Sequence, residues 1–225
     1  MQRKNTLVTG HIYHVFNKSI AGFVIFNSKA DFLRIMGMLK YYQIENPPDK
    51  FSRFCMLEGV KNDNLFHYID VISKDKKRLV QIVSYCIMPT HLHLVLKQLK
   101  KHGISIFMGN ILNSYSRYFN TKYKRKGPLW EGRFKNVLVS SDEQLLHLTR
   151  YIHLNPVTAY LADKPLDWVY SSYREYLSLN KKDNSGNMCD YNSFLSIKPK
   201  DYKKFVEDRI SYQRDLAKIK DIILD

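Results

Sequence analysis

Cysteine is scarce and scattered in this chain. Cys55, Cys86 and Cys189 are its 3 thiols, and no two stand at Cys-x-x-Cys spacing, which argues against a disulfide framework and against a thiolate zinc site. Long apolar runs are absent too: nothing approaches the roughly 18 residues of a membrane span. The opening Met1-Gln2-Arg3-Lys4-Asn5 lacks the apolar stretch of a secretory signal, so a reducing cytoplasm is the expected location. There is no GxxxxGK[ST] loop, hence no sign of ATP use through a P-loop, and there is no internal repeat. Acidic residues are in short supply. The 21 Asp and Glu face 36 Lys and Arg, a formal net charge of +15 that points to a polyanionic partner, nucleic acid first.

What remains is a chain that can fold. With 225 residues, 44% of them hydrophobic and 13% aromatic, it has material for one sizeable core, with or without an appendage. The spacing predicts a strand over residues 10–19. A capping box at Ser28 and Asp31 then opens a helix to about Tyr42, carried by Phe32, Ile35, Met36 and Leu39. Residues 45–77, opened by Pro47-Pro48, are poorly patterned and read as an irregular insertion with a short strand near residues 67–72. A strand from Leu79 to Ile87 follows, then a tight turn at Pro89-Thr90 and a second strand, giving an antiparallel hairpin. Ile104, Phe107, Met108, Ile111, Leu112, Tyr115, Tyr118 and Phe119 form the apolar stripe of a long helix, which Gly127-Pro128 breaks. Residues 133–140 read as a strand. Asp142 to about Asn155 reads as a helix, capped by Ser141 or Asp142 and stopped by Pro156. Residues 180–187 have linker composition, and Tyr202, Phe205, Val206 and Ile210 suggest a small helical tail. The order strand, helix, strand, strand, helix, strand, helix is that of a ferredoxin-like α+β sandwich with helices on one face of an antiparallel sheet. Residues 1–178 form that domain, and residues 179–225 a linker and helical C-terminal extension.

The segment at 85–96, YCIMPTHLHLVL, puts two histidines one residue apart on a strand. Alternation gives His91 and His93 one face and Leu92, Leu94 and Leu96 the other. If the leucines pack on the helices, the histidines face the open side of the sheet, where two neutral imidazoles can hold a divalent metal if an oxygen ligand joins them. The simpler reading is a pair of histidines on a solvent-facing strand, and only a third ligand and a nucleophile would displace it.

The helix after the last strand offers both. His147, Tyr151 and Asn155 share one stripe, beside an apolar stripe of Leu145, Leu148 and Ile152. An amide oxygen is a third ligand for a hard cation, and a tyrosine beside a metal can attack phosphorus. Against this, most of the 16 tyrosines must be packing residues, and Asn155, which precedes a proline, serves equally well as a helix-end cap.

Joined in order, YHVFNKS at 13–19, YCIMPTHLHLVL at 85–96, GPLWEGRFK at 127–135, YIHLNPV at 151–157 and YSSYREY at 170–176 resemble the REP-associated tyrosine transposases, single-tyrosine HUH endonucleases. The resemblance covers roughly residues 10–178. It implies a ferredoxin-like domain that cuts and rejoins single-stranded DNA at hairpin-bearing sites, with a divalent metal and a covalent tyrosine intermediate. By matched position it makes His91 and His93 the metal ligands, Tyr151 the nucleophile and Asn155 the helix residue that completes the metal shell. Thr90 stands where the family often has Asn, Tyr160 where a Gly commonly follows the Asn-Pro turn, and the 45–77 insertion is longer than usual.

The chemistry this implies is coherent. Mg²⁺ or Mn²⁺ on His91, His93 and Asn155 polarises a phosphate oxygen, Tyr151 attacks to give a 5′-phosphotyrosine and a free 3′-OH, and the reverse attack reseals a strand. His147 and Asn155 flank Tyr151 one turn away, so a second tyrosine nucleophile is absent there. For DNA affinity, Arg117, Lys122, Lys124, Arg125, Lys126, Arg133 and Lys135 interleave with aromatics, the mixture that neutralises phosphates and stacks bases. Trp130 is a stacking platform or a core plug. Two other readings stay open: a nonenzymatic hairpin-binding protein, and a metal phosphodiesterase that uses water. Monomer and homodimer are not distinguished.

Overall fold

The computed structural model describes residues 6–61, 65–179 and 187–215. Four strands, β1 (Ile12–Lys18), β2 (Val80–Met88), β3 (His91–Gln98) and β4 (Lys135–Val139), form one antiparallel sheet in the order β2-β3-β1-β4. With helices α1 (Lys29–Tyr41) and α5 (Gly103–Lys122) as the two crossovers, this is the ferredoxin-like arrangement expected from the element order. Leu92, Leu94 and Leu96 are fully buried on the face that α1 and α5 cover. Pro89-Thr90 makes the two-residue turn between β2 and β3.

Local sequence explains the crossovers. Ser28 and Asp31 form the expected capping box at the start of α1, each side chain taking a backbone N–H of the other, and Phe32, Ile35 and Leu39 are buried behind it. At the start of α5, a Cβ on Gly103 would lie 2.2 Å from the Leu79 carbonyl oxygen. Only glycine lets that helix begin so close to the sheet.

Three expectations need correction. Residues 67–72 are not a strand but part of helix α4 (Leu65–Ser73), which follows the short helices α2 (Phe51–Phe54) and α3 (Glu58–Lys61). Leu65, Ile69 and Ile72 recur at helical spacing and pack onto the core beside α1, and that period of three to four was the signal to follow. Helix α5 ends at Lys122, with Lys124 left-handed at φ 49°, so the chain turns before Gly127. Helix α6 (Asp142–Thr158), capped by Ser141, runs through Pro156. A proline there removes one N–H near the helix end, and the terminal turn closes around it through Ala159 N–H to the Asn155 carbonyl at 2.9 Å.

The second face of the sheet is only partly open. α6 crosses it against β2, and beyond the short helix α7 (Tyr173–Tyr176) helix α8 (Pro199–Glu207) packs on α6, burying Tyr202 and Val206. Residues 170–172 hydrogen-bond along the outer edge of β2, Ile87 N–H to the Tyr170 carbonyl and Ser172 N–H to the Tyr85 carbonyl, each at 3.0 Å, which covers an otherwise unpaired strand edge. The linker residues 180–186 lie outside the described residues, as does the end of the tail beyond residue 215. No described helix is long and apolar enough to cross a membrane.

Candidate active site

Pairing register assembles the site. β1 runs antiparallel to β3 so that Phe16 pairs with His93 and Lys18 with His91, while Cys86 and Met88 flank the same histidines from β2. His91 and His93 therefore share a face, away from α1 and α5, with ring centroids 5.0 Å apart and rings nearly perpendicular. His14, two positions along β1 from Phe16, reaches the same patch. Its Nε2 lies 2.9 Å from His93 Nδ1, and Thr90 Oγ1 lies 2.9 Å from His91 Nδ1.

α6 brings Tyr151 to this patch, its ring standing edge-on to His93 at 6.0 Å between centroids. The helix is fixed one residue pair further on by His153, which is fully buried. One of its nitrogens meets the Tyr202 hydroxyl at 2.7 Å, and the other meets Ser172 Oγ at 2.7 Å and Ser84 Oγ at 3.2 Å. So β2, the 170–172 segment and α8 all hold α6 in place, and Tyr151 remains 44% exposed. Asn155 follows one turn later, and among the described residues its buried amide nitrogen finds no hydrogen-bond partner. A 180° turn of the amide puts its oxygen there instead.

Electrostatics keep the imidazoles neutral. Burial, with the nearby Lys18 charge, lowers the His91 pKa to about 4. Burial, then the neighbouring His14, His91 and Lys18, lowers that of His93 to about 2, and burial alone takes His14 to about 4. Neutral imidazole is the metal-binding form. Burial raises the Tyr151 phenol, which is protonated at neutral pH. No group of three or more His, Cys, Asp or Glu that would hold a metal occurs among the described residues. A cation here would rest on two imidazoles and a neutral oxygen, and the unpartnered Asn155 amide fits that last part.

Beside His91 lies a cleft of about 370 Å³, lined in part by Lys18, Ser19, Thr90 and Glu131. The 127–135 segment borders it, because Glu131 N–H bonds the Lys18 carbonyl and Ile20 N–H bonds the Leu129 carbonyl, each at 3.0 Å. The basic connection is thus carried to the histidine end of the sheet. Its members differ. Lys124, Lys126, Arg133 and Lys135 are exposed, and Lys135 pairs with Phe16 on the histidine face. Arg125 bonds the Asn120 side chain at 3.3 Å. Lys122 is committed elsewhere, its ammonium 2.7 Å from the buried Asp31 carboxylate. Trp130 donates its indole N–H to the Leu112 carbonyl at 3.2 Å and packs beside Tyr115, the placement of a core plug. Arg117 lies on the other side of the molecule, among the helices.

Sequence reasoning assigned nothing to His14 or His153. His14 was legible as the polar member of a Tyr-His-Val alternation, with Tyr13 and Val15 buried and His14 on the other face.

Residues 51–155, just under half of the chain, match the family described as Transposase IS200 like, a stretch that contains His91, His93, Tyr151 and Asn155. A Haemophilus influenzae protein named for the REP-associated tyrosine transposases is 30% identical over 105 residues. Over that stretch the chain is similar to this relative. The match covers 41% of this chain and 58% of that relative. The solved structure of a REP-associated tyrosine transposase bound to a REP hairpin superimposes with a TM-score of 0.52 at 14% identity, over 88% of this chain and 98% of the other. At that identity it speaks for the fold alone.

Proposed function

We propose that this chain is a metal-dependent single-stranded DNA endonuclease and strand transferase that acts at hairpin-bearing DNA through a 5′-phosphotyrosine on Tyr151. The observation that carries this reading is the meeting of the two-histidine face of β3 with the half-exposed Tyr151 of α6. The hairpin in the solved relative and the charge of +15 supply the substrate class.

His91, His93 and the Asn155 amide would hold a divalent cation, Mg²⁺ or Mn²⁺, which when bound polarises a non-bridging phosphate oxygen. This donor set is uncharged, so affinity depends on the anionic phosphate joining it, and imidazole donors favour Mn²⁺ over Mg²⁺. Lys18, Lys124, Lys126, Arg133 and Lys135 draw the backbone towards the histidine end. Tyr151 Oη then forms a bond to phosphorus while the P–O3′ bond breaks, and the leaving oxygen takes a proton to become the 3′-OH. No described side chain hydrogen-bonds the Tyr151 hydroxyl, so its proton leaves to solvent or to the substrate. One phosphodiester replaces another, which makes the step reversible without ATP.

A hairpin-bearing oligonucleotide labelled on either side of the cut tests this directly. A denaturing gel should show a protein-DNA adduct that needs divalent metal and carries only the 3′ fragment. Binding without adduct would instead indicate a hairpin-binding protein, and cleavage without adduct a phosphodiesterase that uses water.

A further inference from the structure

On the helical side of the sheet, away from Tyr151, a groove of about 780 Å³ runs between α1, α5 and the 47–52 segment. Arg34, Lys50, Arg117 and Lys122 line it against a single acid, Asp49. Asp49 is itself 3.7 Å from Arg53, and Lys122 is neutralised by Asp31. Among the described residues that leaves Arg34, Lys50 and Arg117 as the uncompensated charge, with amides and hydroxyls of Asn110, Asn113 and Thr121 between them.

Arg34 is pre-set. Its guanidinium stands over the Phe51 ring at 4.7 Å and the Tyr118 ring at 5.1 Å, against the Cys55 thiol, and its buried Nε has no hydrogen-bond partner among the described residues. A guanidinium fixed by stacking loses little freedom when it takes up a phosphate. The groove wall is equally fixed. A Cβ on Gly37 would lie 2.8 Å from the tip of the Phe51 ring and 2.9 Å from a Leu65 methyl, so the 51–54 helix packs closely on α1. Across the floor, the Tyr42 hydroxyl and Ser114 Oγ are 2.8 Å apart and tie the end of α1 to α5.

We propose that this groove is a second DNA-binding site, which holds backbone phosphates of the strand flanking the cut while the scissile phosphate lies at Tyr151 on the opposite face. The proposal rests on the reading that the chain processes DNA. A strand that leaves the cleft and wraps the sheet edge would meet these cations.

The test uses the full chain with Lys50→Gln and Arg117→Gln together, both exposed side chains whose loss leaves the core intact. Binding is followed by fluorescence anisotropy against salt, for a hairpin with long single-stranded flanks and for a short oligonucleotide that only spans the cut. The long DNA should bind more weakly, with its salt slope lowered by about 0.7 per charge removed, while binding and adduct yield on the short DNA stay unchanged. A matched variant on α8, Lys200→Gln with Lys203→Gln, should move neither. An unchanged slope on long DNA, an equal loss on both DNAs, or an equal effect of the α8 pair would each overturn the site. Competition by millimolar thymidine monophosphate or inorganic phosphate at the long-DNA site would reassign the groove to small anions. Adduct formation on short DNA reports on Tyr151 separately, so the two readings fail independently.

Discussion

His14 Nε2 and His93 Nδ1 lie 2.9 Å apart, with their rings stacked at 5.2 Å between centroids. Each neutral imidazole carries one N–H, so this contact fixes two tautomers at once. If His93 Nδ1 donates, His93 Nε2 keeps a lone pair for a cation. If His14 donates, His93 Nε2 carries a proton and cannot be a ligand.

Metal binding therefore requires the first arrangement, with His14 as a positioning residue. Nitrogen NMR of the full chain should show His93 as the Nδ1–H tautomer. His14→Ala should weaken Mn²⁺ binding, read by electron paramagnetic resonance, on the order of 10 to 100-fold, and His14→Gln, which keeps an acceptor, should recover part of it. Equal Mn²⁺ affinity in all three proteins would remove His14 from the site.

Asp31 makes the next prediction, one about acid stability. Its buried carboxylate accepts from Lys122 at 2.7 Å, Tyr123 at 2.6 Å, Tyr118 at 2.9 Å and Ser28 Oγ at 2.9 Å. Burial pushes its pKa up, and these hydrogen bonds outweigh that and hold it at about 2 against an ordinary 3.8. The unfolded chain thus takes up the proton first as pH falls. The stability Asp31 contributes is complete above 3.8 and disappears as pH falls through about 2. Asp31→Asn should lower unfolding free energy at pH 7 by about 2 to 3 kcal/mol and flatten the acid limb of a stability profile. Parallel acid limbs in the two proteins would show that another carboxylate controls it.

How much of this was legible follows from how local each signal was. The Ser28-Asp31 box, the Pro89-Thr90 turn and the His91-His93 alternation depend on neighbours within four residues, and the structure places them as read. The order of elements was enough for the sheet, since few topologies are compatible with it. Non-local partners were hidden. Nothing near Lys122 in sequence reveals Asp31, and nothing near Trp130 reveals the Leu112 carbonyl. The α4 helix was lost because Leu65, Phe66, Tyr68, Ile69, Val71 and Ile72 make a short, nearly continuous apolar run, in which periods of two and of three to four are hard to separate. Pro156 misled because its local cost, a lost N–H and a crowded Ile152 carbonyl, is outweighed by non-local packing of the buried Ile152, His153, Leu154, Pro156 and Val157.

The Lys122-Asp31 pair also divides the basic connection into two populations. Lys124→Ala with Lys126→Ala removes exposed charges beside the histidine end and should lower the salt slope of single-strand binding by about 0.7 each, with little change in melting temperature. Lys122→Ala should do the opposite, lowering melting temperature and leaving the slope as it was. Titrations of one hairpin at four salt concentrations separate these outcomes, and a slope that falls only with Lys122 would reverse the assignment.

The covalent link should form at Tyr151 and at no other tyrosine. Tyr115, on the preceding helix, is fully buried and donates its hydroxyl to the Ile25 carbonyl at 2.7 Å. Tyr118 donates to Asp31. Tyr202 and Tyr173 are buried in the contacts that anchor α6 and α8. Tyr151 alone joins exposure to a ring contact with His93 among these candidates. Tyr151→Phe deletes the attacking oxygen and keeps the ring, so folding, Mn²⁺ affinity and hairpin binding should match the wild type while adduct and cleavage both vanish. Residual cleavage without adduct in that variant would mean that water attacks the phosphate and that Tyr151 is only a wall of the site. Peptide mapping of the wild-type adduct to a different tyrosine would move the nucleophile and keep the chemistry.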